Sequence, residues 1–224
     1  MPRLMSTLAL AGLLREAAPA LEAALGAPVQ VDLAPTRTLE ARIRAGERAD
    51  AAVLTAEAIA ALSAEGVLDG MTARALAHSR VGMAVKAGAP RPDISDVEAL
   101  RRTLLAVPSL CYSRAGASGI FFAGLVERLG IADQVDAKAI VIPQGFTAEK
   151  LLTGEAAIAF QQISELMEVP GIDIVGPLPE GAQTVAVFSG AAFIGAAGGT
   201  ALLEAVARLC TPAALRGKGL DAPG

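Results

Sequence analysis

Residues 34–55 read APTRTLEARIRAGERADAAVLT, and they carry one helix and one buried strand in a fixed order. Pro35 and Thr36 mark a helix entry. Leu39 and Ile43 repeat at i, i+4 on one face, and Ala45-Gly46 marks the exit. AAVLT, residues 51–55, is a short continuous apolar run of the kind buried in a sheet with both faces covered. The preceding PVQVDLA, residues 28–34, alternates like a half-buried strand, and AEAIAALSAEG, residues 56–66, is the next helix, ending at Gly66.

The same alternation runs outward in both directions. A short strand over 3–7 feeds an amphipathic helix over 9–25, whose face is Leu10, Leu13, Leu14, Ala17, Leu21 and Leu25. Downstream, strands are expected at RVGMAVKAG, TLLAVPS, AKAIVI, EAAIAF, VPGIDIVGPLP and AQTVAVFSGAAF. Helices are expected at 95–102 with Ser95 as N-cap, and at IFFAGLVERLG, TAEKLLTG, QISELME and 199–210. Strands separated by helices imply mainly parallel α/β sheets flanked by helices. Two long strands, near 80–87 and 182–190, are where the chain can cross between lobes. The expected organisation is lobe 1 from 1–80 plus 186–224, with 81–185 inserted as lobe 2.

Bulk properties remove several classes of function. The chain has 224 residues, 53% of them hydrophobic, and a net charge of −4. It has no Trp and one Tyr, which argues against a base-stacking platform, and no basic block suits nucleic acid. The single histidine, His78, excludes multi-histidine metal sites and reads as a surface or hinge residue. Cys111 and Cys210 lack metal spacing and read as buried free thiols, with a disulfide between them unsupported. No metal or cofactor is called for. No apolar run reaches the roughly 20 residues of a membrane span. The N-terminus imitates an export signal, but Arg15 and Glu16 interrupt it. The chain as written therefore reads as cytoplasmic, or as periplasmic where a leader has been removed.

Candidate ligand groups gather where strands hand over to helices. Ser6 and Thr7 end the first strand, Thr36, Arg37 and Thr38 follow the second, and Thr55 ends the third. In the second half, Tyr112-Ser113-Arg114 precedes Gly116-Ala117-Ser118-Gly119, Gly145 precedes a helix, and Gln161-Gln162 follows the strand EAAIAF. Helix beginnings offer unpaired N–H groups and the positive end of a dipole, so several of them can hold an anion. The hydroxyls also serve as ordinary N-caps, and the glutamines can cap the following helix instead of meeting a ligand. Arg37 is not explained by capping. A cation in a first turn costs up to about 1 kcal/mol unless an anion shares the site, and a guanidinium matches a planar carboxylate.

STLALAGLLREAAPALEAALG, TLEARIRAGERADAAVLTAEAI, GASGIFFAGLVERLGI and GEAAIAFQQISEL resemble the molybdate-binding-protein family of type II solute-binding proteins, in the same order along nearly the whole chain. The resemblance implies a two-lobed type II periplasmic-binding-protein fold with an oxyanion in a cleft between the lobes. It also implies a membrane component of an ABC transporter as partner. Carried across position by position, the family's first-helix serine falls at Ala9, with Ser6 and Thr7 nearby. The second-site serines fall at Thr36 and Arg37, and the third-strand position at Thr55-Ala56. The next falls at Ser118, a backbone contact falls near Gln144 or Gly145, and the family's tyrosine falls at Gln162 or Gln161. An arginine and an amide pair in place of a neutral shell favour a small organic di- or tricarboxylate over molybdate. The chain also resembles the aconitate-isomerase branch of this superfamily, which implies an alternative: an isomerase that shifts a double bond, with Tyr112, Glu165 or Lys150 as base. A signal-responsive sensor is the third reading.

Overall fold

The computed structural model describes residues 1–223. In chain order the strands are β1 Arg3–Ser6, β2 Gln30–Leu33, β3 Ala51–Thr55, β4 Arg74–Lys86, β5 Leu110–Ser113, β6 Ala139–Ile142, β7 Ile158–Gln162, β8 Ile172–Pro177 and β9 Val185–Ala192. The α-helices are α1 Ala11–Glu16, α2 Ala18–Leu25, α3 Thr36–Arg44, α4 Ala56–Ala64, α5 Val97–Ala106, α6 Ala117–Arg128, α7 Ala132–Asp136, α8 Glu149–Leu152, α9 Ile163–Leu166, α10 Gly199–Leu209 and α11 Pro212–Arg216. The chain divides into two compact units, Met1–Ser79 with Ala186–Gly224, and Arg80–Val185.

In the first unit the strand order is β2-β1-β3-β9, with β4 next to β9. β1 pairs in parallel with both β2 and β3, whereas β9 runs antiparallel to β3. A helical crossover returns the chain to the same end of a sheet and makes parallel neighbours. β9 arrives from the second unit by another route, so its direction is not bound by that rule. Period-two alternation places Leu4, Ala51 and Val53 in one buried cluster with Leu10, Leu13, Leu14 and Leu21. Met5, Ala52 and Leu54 lie in a second cluster with Leu39, Ile43, Ile59 and Leu62. Leu39 and Ile43, the i, i+4 pair of α3, are fully buried, each contributing roughly 1.5–3 kcal/mol.

In the second unit the order is β8-β4-β7-β5-β6, with β5 parallel to β6 and β7, and β4 antiparallel to β7 and β8. Val81, Met83, Leu110, Tyr112, Ile158 and Phe160 face one cluster. Ala84, Cys111 and Ala159 face the other. Phe122 of α6 stacks on Phe160 with ring centroids 4.2 Å apart, which fixes α6 across β7.

Several local expectations are corrected. The helix expected over 9–25 is a 3-10 turn at Leu8–Leu10 followed by α1 and α2, broken at Ala17. Pro19 lies in the first turn of α2, where its missing N–H costs nothing; inside one continuous helix it would cost about 3 kcal/mol. The cap of α5 is Asp96, whose carboxylate accepts from Ala99 N–H at 2.7 Å, and not Ser95. TLLAVPS is not a strand. Residues 103–106 complete α5, because Ala99, Leu100, Thr103 and Leu104 form one buried helical face, and the strand lies further on, at β5. Ser118 lies inside α6, whose first turn starts at Ala117, and Gln161-Gln162 are the last residues of β7 and do not follow it. α7 had no counterpart in the sequence reading.

Cys111 and Cys210 are free thiols, and burial pushes them up to about 12 and about 11 respectively, which leaves them unreactive near neutrality. His78 lies within β4 and exchanges two main-chain hydrogen bonds with Asp221, at 2.8 and 2.9 Å, pinning the C-terminal segment to that strand.

Candidate anion-binding site

Within the first unit, register sets the site edge. Ser6 pairs with Leu33 of β2 and Val53 of β3, so the carboxyl ends of three parallel strands lie in a row. Ala34 N–H donates to Ser6 O, and Thr7 N–H donates to Val53 O. Ser6, Thr7, Thr36, Arg37 and Thr55 all belong to this edge or to the residues just past it.

Their side chains divide into engaged and unengaged groups. Thr55 is a true N-cap, its Oγ1 accepting from Ala58 N–H at 3.4 Å, and Ser6 Oγ donates to Thr7 O at 3.2 Å. Thr36 is buried and its Oγ1 has no hydrogen-bond partner. α3 begins after Pro35 with no side-chain cap, so its first-turn N–H groups are left without one.

The three arginines of α3 differ in a way that bears on function. Arg42 pairs with Glu47 at 2.7 Å and also with Asp32, and Arg44 pairs with Glu40 at 3.2 Å and Glu65 at 2.9 Å. Both sit in the last turn, where the helix dipole favours a cation. Arg37 sits in the first turn, is exposed, and has neither ion pair nor hydrogen bond among the described residues.

Within the second unit, Ser113 at the end of β5 pairs with Ile142 at the end of β6, and β7 ends alongside at Gln162. α6 starts at once after β5. Its Gly119 rests so close to that strand end that a Cβ there would lie 1.7 Å from Ser113 O. Only a glycine allows this approach. It brings Ser118 to the strand end, where Ser113 Oγ and Ser118 Oγ are both buried without partners. α6 also has no side-chain cap, since its N-cap is Gly116. The sequence places Ser113 in a loop before α6, because the expected strand lies several residues too early; in the structure it ends β5.

The two glutamines have different jobs. Gln161 is fully engaged: its Oε1 accepts from Thr147 N–H at 2.8 Å and Thr147 Oγ1 at 3.0 Å, and its Nε2 donates to Gly145 O at 3.0 Å. It fixes the loop that follows β6, where Gly145 holds a φ of +89°, and its oxygen is already occupied twice. Gln162 is buried, and neither of its amide atoms makes a hydrogen bond of proper geometry. Its side chain lies toward the Glu165 N–H in the outline of a capping box, without a side-chain hydrogen bond to it. The firm half is the Glu165 carboxylate, which accepts from Gln162 N–H at 3.3 Å.

Glu165 has no cationic partner. Burial pushes its carboxyl up to about 7, against hydrogen bonds from Gln162 N–H and the Gln161 amide that pull it down. The other two candidate bases differ. Lys150 is tied to Glu155 at 3.0 Å. Tyr112 packs on Phe122, and burial raises its phenol. Among the described residues no group of His, Cys, Asp and Glu could hold a metal ion, and no helix is long and apolar enough to cross a membrane.

Two α/β units, each ending its parallel strands in small polar residues beside uncapped helix beginnings, define a binding protein of the type II periplasmic class. Residues 3–219 match the profile of the bacterial extracellular solute-binding proteins, and the chain belongs to that family. It is 37% identical over 186 residues to an aconitate isomerase from a Pseudomonas species, spanning 80% of this chain and 71% of that protein. Its fold is similar to that of the periplasmic molybdate-binding protein of Azotobacter vinelandii, with a TM-score of 0.81, 15% identity and full coverage of both chains. It is also similar to the substrate-binding domain of a putative molybdenum ABC transporter from Clostridium difficile, with a TM-score of 0.70, 13% identity, and 100% and 99% coverage. The fold resemblance to molybdate-binding proteins is thus borne out.

Proposed function

We propose that this protein holds a small organic di- or tricarboxylate on its strand-end groups: Thr7, Thr36 and Arg37 in the first unit, and Ser118 and Gln162, with Ser113 beside them, in the second. The observation that carries this reading is Arg37, the one arginine of α3 left without an acid, in a first turn that has no cap. A ligand carboxylate supplies what that helix end lacks. The unpartnered Thr36, Ser113 and Ser118 hydroxyls and the Gln162 amide add neutral hydrogen bonds. Ser6, Thr55, Gly145 and Gln161 shape these edges, and delivery to an ABC transporter is the role the family suggests for such a carrier.

A thermal-shift panel of molybdate, sulfate, citrate, the aconitate isomers and C4 dicarboxylates tests this. A ligand at 100 times its Kd adds about 2.7 kcal/mol. A response confined to molybdate and sulfate would overturn the carboxylate reading. Arg37→Ala is expected to weaken the carboxylate ligand roughly 10–100-fold, the worth of a charged hydrogen bond. Because Arg37 is a cation without a partner in a first turn, the variant's stability without ligand should stay the same or rise by up to about 1 kcal/mol. Titration calorimetry and unfolding on the same variant separate the two effects.

A second reading has its own support. The relative that is 37% identical is an aconitate isomerase, and Glu165 is a buried carboxyl that can take or give a proton near neutral pH. On this reading the chain shifts the double bond of an unsaturated tricarboxylate, with strand-end hydroxyls holding carboxylates and Glu165 moving the proton. Mixing cis- or trans-aconitate with the protein and following the other isomer by chromatography decides between them: conversion establishes the isomerase, and binding without conversion leaves the carrier.

A further inference from the structure

Glu165 lies at the first turn of α9 with 5% of its surface exposed, its carboxylate on the main-chain N–H of Gln162. Gln162 carries an unpartnered side-chain amide that is itself 1% exposed, at the edge assigned to the anion. β8 packs on α9, while α6, α8, β4 and β5 pack on β7; α6 carries Glu127 and Arg128 in its last turn, β4 carries Arg80 and Lys86 at the two ends of its paired stretch, and β5 carries no charge. On α8, Lys150 is matched by Glu155, and Glu149 is the remaining acid; on β8, Asp173 accepts from Gly88 N–H at 3.0 Å. None of these groups acts on Glu165, whose surroundings are neutral amides and apolar side chains.

We infer that Glu165 is the positioning residue for Gln162 and that the anion binds together with a proton carried on Glu165. The inference rests on the reading of this edge as an anion site. An ionised carboxylate here would place a second, unneutralised negative charge beside the ligand in a poorly hydrated setting, and like charges at close range exclude one another. The protonated carboxyl removes that repulsion. Reciprocally, the bound anion holds the proton on Glu165. Anion affinity therefore falls as pH rises through neutrality, and binding near neutral pH takes up a proton from the buffer.

The experiment uses the whole chain and an anion whose own charge is constant between about pH 6 and pH 8, drawn from sulfate, molybdate, fumarate and tartrate. If the anion moves the Glu165 equilibrium by one pH unit, affinity falls about fivefold across this range. Calorimetry in two buffers of different ionisation enthalpy should show proton uptake near pH 7. Glu165→Gln, which keeps an oxygen for Gln162 N–H, should bind with nearly the same affinity at both ends of the range and take up no proton. A merely structural role for Glu165 would move neither readout. Wild-type affinity that is flat with pH, or a slope retained in Glu165→Gln, overturns the coupling. If only sulfate or molybdate binds, the carboxylate reading fails while the coupling is judged on that anion. If nothing in the set binds, the coupling is overturned, and the thermal-shift panel with its tricarboxylates judges the carboxylate reading separately.

Discussion

Gly119→Ala is expected to destabilise the protein by about 3 kcal/mol or more, at the upper end of what overpacking costs. The added Cβ would lie 1.7 Å from Ser113 O and 2.6 Å from Ser113 C, both main-chain atoms at the end of β5. No side-chain rotation relieves such a contact. Either α6 must lift away from the strand, separating the Phe122–Phe160 stack, or the strand end must bend. The internal control is Gly124→Ala, five positions along the same helix, where the nearest neighbour is the flexible Arg128 Nη1 at 3.7 Å. That change should stabilise by up to about 1 kcal/mol through helix propensity. Urea unfolding of both variants reads the contrast directly, and equal stabilities would mean that α6 does not sit on β5 as described. Because the same approach brings Ser118 to the strand end, ligand affinity should fall with stability in Gly119→Ala.

The second large effect is a pH dependence in stability. The Glu165 carboxyl titrates at about 7 in the folded chain against 4.5 in its ordinary state. Between those values the unfolded chain gives up a proton that the folded chain keeps. Stability from this group is therefore complete below about pH 4.5, declines as pH rises, and is lost above about pH 7, in total by about 3 kcal/mol. Glu165→Gln stays neutral throughout and preserves an acceptor for Gln162 N–H. It should match wild type near pH 4 and exceed it by up to about 3 kcal/mol near pH 8. Chemical denaturation across that range settles the point: parallel curves for the two proteins would show that Glu165 is solvated and ionises normally. Asp32 and Glu47 act in the opposite sense, since their arginine partners hold both well below the usual carboxylate range, so their contribution is lost only in more acid solution.

Much of the first unit was legible because its signals are local and agree with one another. In α3 the i, i+4 pair is buried, Gly46 leaves the helix at a φ of +101°, and Thr55 caps α4. Where two local readings compete, tertiary packing chose. Residues 103–107 satisfy both a short apolar strand and the last turn of an amphipathic helix, and the face made by Ala99, Leu100, Thr103 and Leu104 resolved it for the helix. The long apolar face of residues 10–25 was read correctly as one stripe but incorrectly as one rod. Both short helices bury that stripe in the same cluster, with the break at Ala17 hidden from periodicity.

The sequence by itself determined that this is an α/β protein with polar strand ends and one arginine out of place, although its sheet is mixed and not mainly parallel. Those features are written in near-neighbour spacing, and the physical rules that read them act over one or two turns. It could not say which of the polar residues are already spent. Gln161 and Gln162 are chemically identical and adjacent, yet Thr147 and Gly145, brought up from another loop, occupy one amide and leave the other unpartnered. Hydrogen-bond satisfaction and burial depend on groups distant in the chain, so only the tertiary structure separated the scaffold from the candidate ligand contacts and buried the Glu165 carboxyl.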